Sequence, residues 1–345
     1  MRKLLFLTAA VMFGITYASA AKPKVALYLD HGCRGAGDIC WAVLLSSAPE
    51  FDFAAVNAAD VKAGRLADFD CLVMPGGGGH ERYADWGEEG CAKIREFVHA
   101  GGRYLGTCAG FSVLLNEKGR MRLIPYKGDG SWGRGGMTAT LRFNPRFAEL
   151  TGVTDERRGV RYHDGPCPVP ADPIPGVTAE ILATYDCTLM EKGEQPSPMN
   201  GKPAAIWAEY GHGRVLAYAV HPEVAPANYD LIQGAFKALL GVSPTFPVKK
   251  RAARPLRALF YSNEIDEGPD TREIVASAVR LAQRPDVDLI PTTFADLAAG
   301  ALDHADVLVL PAGRHRKIKP RVWALVESFK ANGGRVLTSA DKLEE

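Results

Sequence analysis

The sequence has no C-x-x-C pair and no cluster of His with Cys, which excludes a zinc site of the usual ligand spacing; no metal and no cofactor is expected. It has no excess of charge either, since 41 Lys and Arg stand against 40 Asp and Glu. Nucleic acid and acidic membranes both need a clustered basic surface, so neither is an expected partner. The one basic run, Lys249, Lys250, Arg251 and Arg254, lies beside prolines and reads as a solvated linker. No apolar run reaches the ~20 residues of a membrane anchor. The glycine-rich stretch from Gly128 to Gly136 lacks the Lys-Ser/Thr end of a phosphate loop and reads as a flexible lid.

What is present begins with Arg2 and Lys3, an apolar run from Leu4 to Ile15, and Ala18-Ser19-Ala20, the three regions of a cleavable secretory signal. Cleavage near Ala20 predicts an extracytoplasmic protein, periplasmic or secreted, with no membrane contact afterwards. Losing Arg2 and Lys3 takes the net charge from +1 to about −1. No cysteine stands at the cut to accept lipid. The chain has seven cysteines, and an odd number in an oxidising compartment leaves at least one thiol free. Cys71 and Cys91 read as core. Cys33 with Cys40, or Cys167 with Cys187, are candidate bridges whose connectivity the sequence leaves open.

From Val25 onward, strand-like apolar runs alternate with helical ones. Val25 to Leu29, Phe53 to Val56 and Cys71 to Met74 read as strands, with helices from about Asp38 and from about Glu88 to His99. This predicts an α/β fold, a flavodoxin-like doubly wound parallel sheet whose site lies at the carboxyl ends of its strands. Asp30, His31 and Gly32 end the first strand, Pro75 to His80 the third, and Cys108 the fourth. Three loops thus open on one rim, and Asp30, His31 and His80 are candidate pocket residues.

Cys108 lies between a strand ending at Gly106 and a helix-like run with Phe111, Val113, Leu114 and Leu115. Small neighbours, Gly106, Ala109 and Gly110, permit the sharp strand-to-helix turn of a nucleophile elbow, and a helix N-terminus favours the thiolate. Taken alone, the string fits a small buried core cysteine equally well. Two further segments favour the nucleophile. VLAYAVHPE, residues 215–223, ends in His221 and Glu223, a candidate base and its orienter. CLVMPGGGG, residues 71–79, breaks at Pro75 into glycines; the N–H groups of Gly76 and Gly77, with that of Ala109, form a candidate oxyanion hole.

The order PGG, GTCAGF, HPE resembles the class I glutamine amidotransferase superfamily. Within it, residues 24 to 245 are most similar to the N-terminal domain of biotin-protein ligases, a glutamine amidotransferase-like module that also occurs in stand-alone bacterial proteins. The resemblance implies a Cys108, His221, Glu223 triad and glutamine as substrate. Residues 116 to 213 lose the alternation and read as added strands and loops, including Met137 to Phe143 and Ala204 to Glu209, with a hairpin turn at Gly211-His212-Gly213. Arg161 to Pro166, RYHDGP, resembles a Tyr- and Gly-rich loop of the biotin-ligase-type domain, which would bring Tyr162, His163 and Asp164 to the pocket. An exposed turn is an equal reading of these residues.

The first domain is read as residues 21–245 and a linker as 246–255. Residues 256–345 form a partial repeat: Leu256 to Tyr261 parallels Val25 to Leu29, and DVLVLP from Asp306 parallels DCLVMP from Asp70. Ala340 replaces Cys108, Ala312-Gly313-Arg314 replaces the glycine run, and no HPE segment follows. The repeat should therefore be without chemistry, packed on the first domain or on a second copy of the chain, which makes a homo-oligomer an expected state.

The expected activity is that of an exported cysteine hydrolase of amidase type, with a small-molecule amide, peptide or ester as substrate. A true amidotransferase would need a synthetase domain to accept ammonia, which these residues do not contain. The alternative, from another class, is a non-catalytic ligand-binding or scaffold protein. A PfpI-type peptidase is disfavoured, because Ala109 stands where that family has histidine.

Overall fold

Lys24–Tyr28 (β1), Asp52–Val56 (β2), Cys71–Met74 (β3) and Arg103–Thr107 (β4) are short apolar runs, and β1, β3 and β4 are buried almost end to end. Strands with no solvent face belong inside a parallel sheet. They pair in parallel in the order β2-β1-β3-β4, joined by Ala36–Ser47 (α1), Ala58–Lys62 (α2) and Gly79–His99 (α3). The structure, a computed structural model, describes residues 21–345 apart from 34–35, 132–136, 190–196, 198, 225–226, 247–251, 262–270, 312–319, 339 and 344–345. The signal-like residues, half of the expected linker (247–251) and Ala312-Gly313-Arg314 lie outside the described residues.

Two helices differ from expectation. The expected helix from about Glu88 to His99 is the second half of α3, beyond the non-helical Gly87 (φ 58); the helical turns from Gly79 before it were not expected, because that polar-looking stretch carries Arg82 and Trp86 inward. After β4 comes a single helical turn, Ala109–Ser112 (α4). Phe111, Val113, Leu114 and Leu115 are all buried, so their apolar run follows burial and not helical periodicity.

The chain continues through Tyr126–Ser131 (β5), Met137–Phe143 (β6), Pro145–Thr151 (α5), Arg157–Tyr162 (β7) and Pro166–Pro170 (β8). Val177–Tyr185 (β9), Pro203–Tyr210 (β10), Gly213–Tyr218 (β11) and Tyr229–Leu240 (α6) complete the first unit. β11 pairs in parallel with β4, and β10, β9, β6 and β7 extend the sheet antiparallel to nine strands. β10 and β11 meet at the expected hairpin, with Gly211 at φ 59. β5 and β8 form a separate pair. Residues 128–131, expected in a lid, are therefore strand, and 132–136 lie outside the described residues. All seven cysteines are free, so neither candidate disulfide forms.

Leu256–Tyr261 (β12), Val287–Thr292 (β13), Val307–Val309 (β14) and Arg335–Leu337 (β15) form a second parallel sheet with Thr271–Gln283 (α7), Phe294–Ala298 (α8) and Pro320–Ala331 (α9). Its order, β13-β12-β14-β15, repeats β2-β1-β3-β4. The repeat extends to single bonds: Lys24 N–H donates to Asp70, and Arg257 N–H to Asp306, both at 2.8 Å. Gly102 and Gly334 each lie against a ring, Phe97 and Phe329, where a Cβ would come within 2.4 Å. α7 and β13 pack on α1, and Ile274, Val275 and Ala278 join the core of the first sheet.

A Cβ on Gly110 would stand 2.1 Å from Met74 O, inside backbone that cannot move without shifting β3. Gly110→Ala should destabilise the fold by about 1–3 kcal/mol, read as a lower urea midpoint. An unchanged midpoint would show that the turn has room to give.

Candidate active site

β4 and β11 run side by side, and the residue after β4 reverses the chain. Cys108 N–H donates to Tyr218 O at 2.8 Å, and Cys108 takes φ 53, ψ −108, a conformation costing an L-residue on the order of 1–3 kcal/mol. Space around it demands glycine: a Cβ on Gly106 would lie 2.6 Å from Gly110 O. The elbow expected from small neighbours is present. The thiol, almost fully buried, donates to the His163 carbonyl at 3.4 Å and stands near enough to His221 for its charge to raise that imidazole.

His221, three residues past β11, reaches the same corner. Its backbone N–H donates to Arg161 O at 2.9 Å, and its Nδ1 meets Glu223 Oε1 at 2.9 Å, leaving the other ring nitrogen for Cys108. Thr107 Oγ1 donates to that same carboxylate oxygen at 3.1 Å and accepts from Trp41 Nε1 at 3.2 Å. Glu223 Oε2 is buried with no hydrogen-bond partner among the described residues, which leaves His221 as the cation that compensates this carboxylate. Burial alone would lower the His221 pKa. The charges of Cys108 and Glu223, with the hydrogen bond to Glu223, outweigh it and hold the imidazole up to about 10. His163 behaves oppositely: burial first, then His221 and Arg161, push it down to about 4, so it is neutral at pH 7.

The glycine loop after β3 is held from behind. Arg82 of α3 has no exposed surface and donates to Pro75 O at 2.7 Å and Gly76 O at 2.5 Å. In a trans peptide the N–H opposes the carbonyl, so these bonds turn the N–H groups of Gly76 and Gly77 away from the guanidinium. Gly76 lies against both residues, where a Cβ would stand 2.5 Å from His221 Cε1 and 3.4 Å from Cys108 Cβ. Gly77, Cys108, Ala109, His80, Arg120 and Asp164 line one cleft of about 440 Å³.

Three expected pocket residues lie elsewhere. Asp30 accepts the N–H groups of His31 and Ala58, each at 2.8 Å, and so fastens the entry to α2. His31 pairs with Asp85 at 3.0 Å, and Tyr162 is buried, donating to Gly165 O at 3.0 Å. The first-strand loop supports the site indirectly, since Gly78 N–H donates to Gly32 O at 2.7 Å. Of the three strand-end loops expected on the rim, those after β3 and β4 line the cleft, together with Gly128, Gly130 and Asp164. His163 offers its carbonyl to the thiol. The sequence did not single out Trp41, Thr107, Arg82, Arg120 or Arg161, although Thr107, next to Cys108, and Arg161, the first residue of RYHDGP, stood inside motifs. Among the described residues no group of three His, Cys, Asp or Glu could hold a metal, and no helix is long and apolar enough to cross a membrane.

Unfolded His163 takes its proton near pH 6.5 and the folded residue near 4, so the folded state loses stability as pH falls across that window. His163→Gln should flatten this slope, measured as Tm against pH; an unaltered slope would assign the acid sensitivity elsewhere. Gly76→Ala should part His221 from Cys108 while leaving the fold intact, which the pH dependence of Cys108 alkylation reads directly.

Residues 42–112 match the model of a family described as Biotin-protein ligase, N terminal. Among solved structures, the chain is similar to a ThuA-like protein from Parabacteroides merdae, at 15% identity over 66% of this chain and 94% of that one, TM-score 0.45. It is similar to PurLQS from Thermotoga maritima, at 15% over 64% and 99%, TM-score 0.43, and to a cytoplasmic protein from Salmonella typhimurium LT2, at 14% over 58% and 88%, TM-score 0.39. The matched segment holds Gly76, Gly77, Arg82, Thr107, Cys108 and Ala109, while His221 and Glu223 lie beyond it. From within α1 to the cysteine turn, the chain thus carries the sequence pattern of the biotin-protein ligase N-terminal family, on the parallel half of the nine-stranded sheet.

Proposed function

We propose that the protein is an exported cysteine hydrolase of amidase type, acting on a small amide, peptide or ester. The observation that carries this reading is the line Glu223, His221, Cys108: a buried carboxylate holds an imidazole against a thiol that sits at positive φ on the wall of a cleft. A cysteine kept only for packing needs neither partner. At about 440 Å³ the cleft is at the small end of ligand pockets, which suits a small substrate. Export rests on the signal-like residues from Arg2 to Ala20.

In this reading the Cys108 proton passes to His221, the sulfur attacks the carbonyl carbon, and the electron pair displaced onto oxygen meets the N–H groups of Gly77 and Ala109. His221 gives its proton to the leaving nitrogen or oxygen as that bond to carbon breaks, and a thioester remains. Water then attacks the thioester with His221 accepting its proton, the sulfur leaves, and the acid product departs. Glu223, backed by Thr107 and Trp41, keeps Nδ1 engaged so that the other nitrogen faces the sulfur.

Iodoacetamide labelling of Cys108 across pH, followed by mass spectrometry, tests this. The parent should label fast below about pH 7, and His221→Ala should slow labelling by about tenfold or more, the factor that one unit of thiol pKa represents. Glu223→Gln should fall between them. Slow labelling that His221→Ala leaves unchanged would favour the binding or scaffold protein instead.

A further inference from the structure

The second unit keeps the sheet order of the first without its cysteine, yet one of its side chains enters the surroundings of the site. Asp296, on α8, accepts a hydrogen bond from Arg161 Nη2 at 2.7 Å, and the pair is largely shielded from solvent. Its other oxygen is occupied by Thr293, through the backbone N–H at 2.9 Å and the hydroxyl at 2.7 Å. Asp296 is thus fixed before it meets Arg161.

Arg161 lies one residue from the end of β7, which is the edge strand of the nine-stranded sheet. An edge strand has pairing on one side only and is easily displaced. Yet this edge carries two contacts of the site: Arg161 O receives the His221 N–H at 2.9 Å, and two residues on, the His163 carbonyl receives the Cys108 thiol at 3.4 Å. The second unit also supports the opposite arm. α7 packs on α1, and α1 carries Gly37, where a Cβ would stand 2.7 Å from Glu223 Oε1. Asp296 further balances the Arg161 charge, which otherwise acts on the His163 ring.

We infer that the C-terminal unit is a positioning part of the site of the first: Asp296 holds Arg161, and through its backbone holds His221 and the carbonyl that faces Cys108. Only the chemical consequence of this inference rests on the hydrolase reading; the positioning stands on its own geometry.

The test compares full-length parent, Asp296→Asn, Asp296→Glu and, as a control in the same unit, Asp286→Asn, which breaks an exposed pair with Arg284. Hydrogen exchange, followed by mass spectrometry, is read in peptides covering residues 157–165 and 219–224. In Asp296→Asn exchange in both peptides should rise by about tenfold or more, the worth of a hydrogen bond to a charged partner. Asp296→Glu should return towards the parent, and Asp286→Asn should match it. Cys108 alkylation in Asp296→Asn should lose its His221-dependent rate. Parent-like exchange in folded Asp296→Asn would overturn the inference, and so would raised exchange with an unaltered alkylation profile in a reactive parent. Slow, His221-independent alkylation of the parent itself would sink the hydrolase reading, with exchange still deciding the positioning. Should Asp296→Asn not fold, Thr293→Val, which removes the hydroxyl that fixes Asp296, supports the same comparison.

Discussion

The chain has to reverse at Cys108 inside the narrow space between β3 and β11, and the site depends on that confinement. Gly110 presses on the Met74 carbonyl, the Tyr104 hydroxyl donates to Gly110 O at 2.7 Å, and Cys108 N–H is tied to Tyr218 O. A backbone at positive φ holds only where its surroundings leave no alternative. The strand order β3-β4-β11 supplies those surroundings and sets the glycine loop on one side of the cysteine and His221 on the other. Arrangement of the sheet and arrangement of the site are the same fact.

Much of this was legible because parallel strands are buried on both faces and read as continuous apolar runs, so that PGG, GTCAGF and HPE could be assigned to strand ends. The rest was hidden for physical reasons. A carboxylate at a strand end serves backbone N–H groups as readily as a ligand, and Asp30 does the former. Arg82 sits among Glu81, Tyr83 and Asp85, a stretch that looks like a solvated helix face, yet it is buried. The Trp41, Thr107, Glu223 chain joins residues far apart in sequence, which no local pattern encodes.

The repeat separates what the fold requires from what the site requires. Both units keep the aspartate that fastens the first strand to the third and the glycine that lies under a phenylalanine before the fourth. Those features sit at the amino ends of the strands, where helices pack back on the sheet. The cysteine sits at the carboxyl end of β4, and Ala340 takes its place after β15. The second unit retains the base of the architecture and contributes Asp296 to its neighbour, whereas the matching Asp60 of α2 bonds Asn57 and Arg65 within its own unit.

A glycine loop clamped at two carbonyls by the buried Arg82 guanidinium has little conformational freedom left to lose. Its ordering entropy was spent when the chain folded, not when a ligand arrives. On the proposed reading, discrimination between ligands falls on the wall of charge and shape made by His80, Arg120 and Asp164, rather than on a closing motion of the loop.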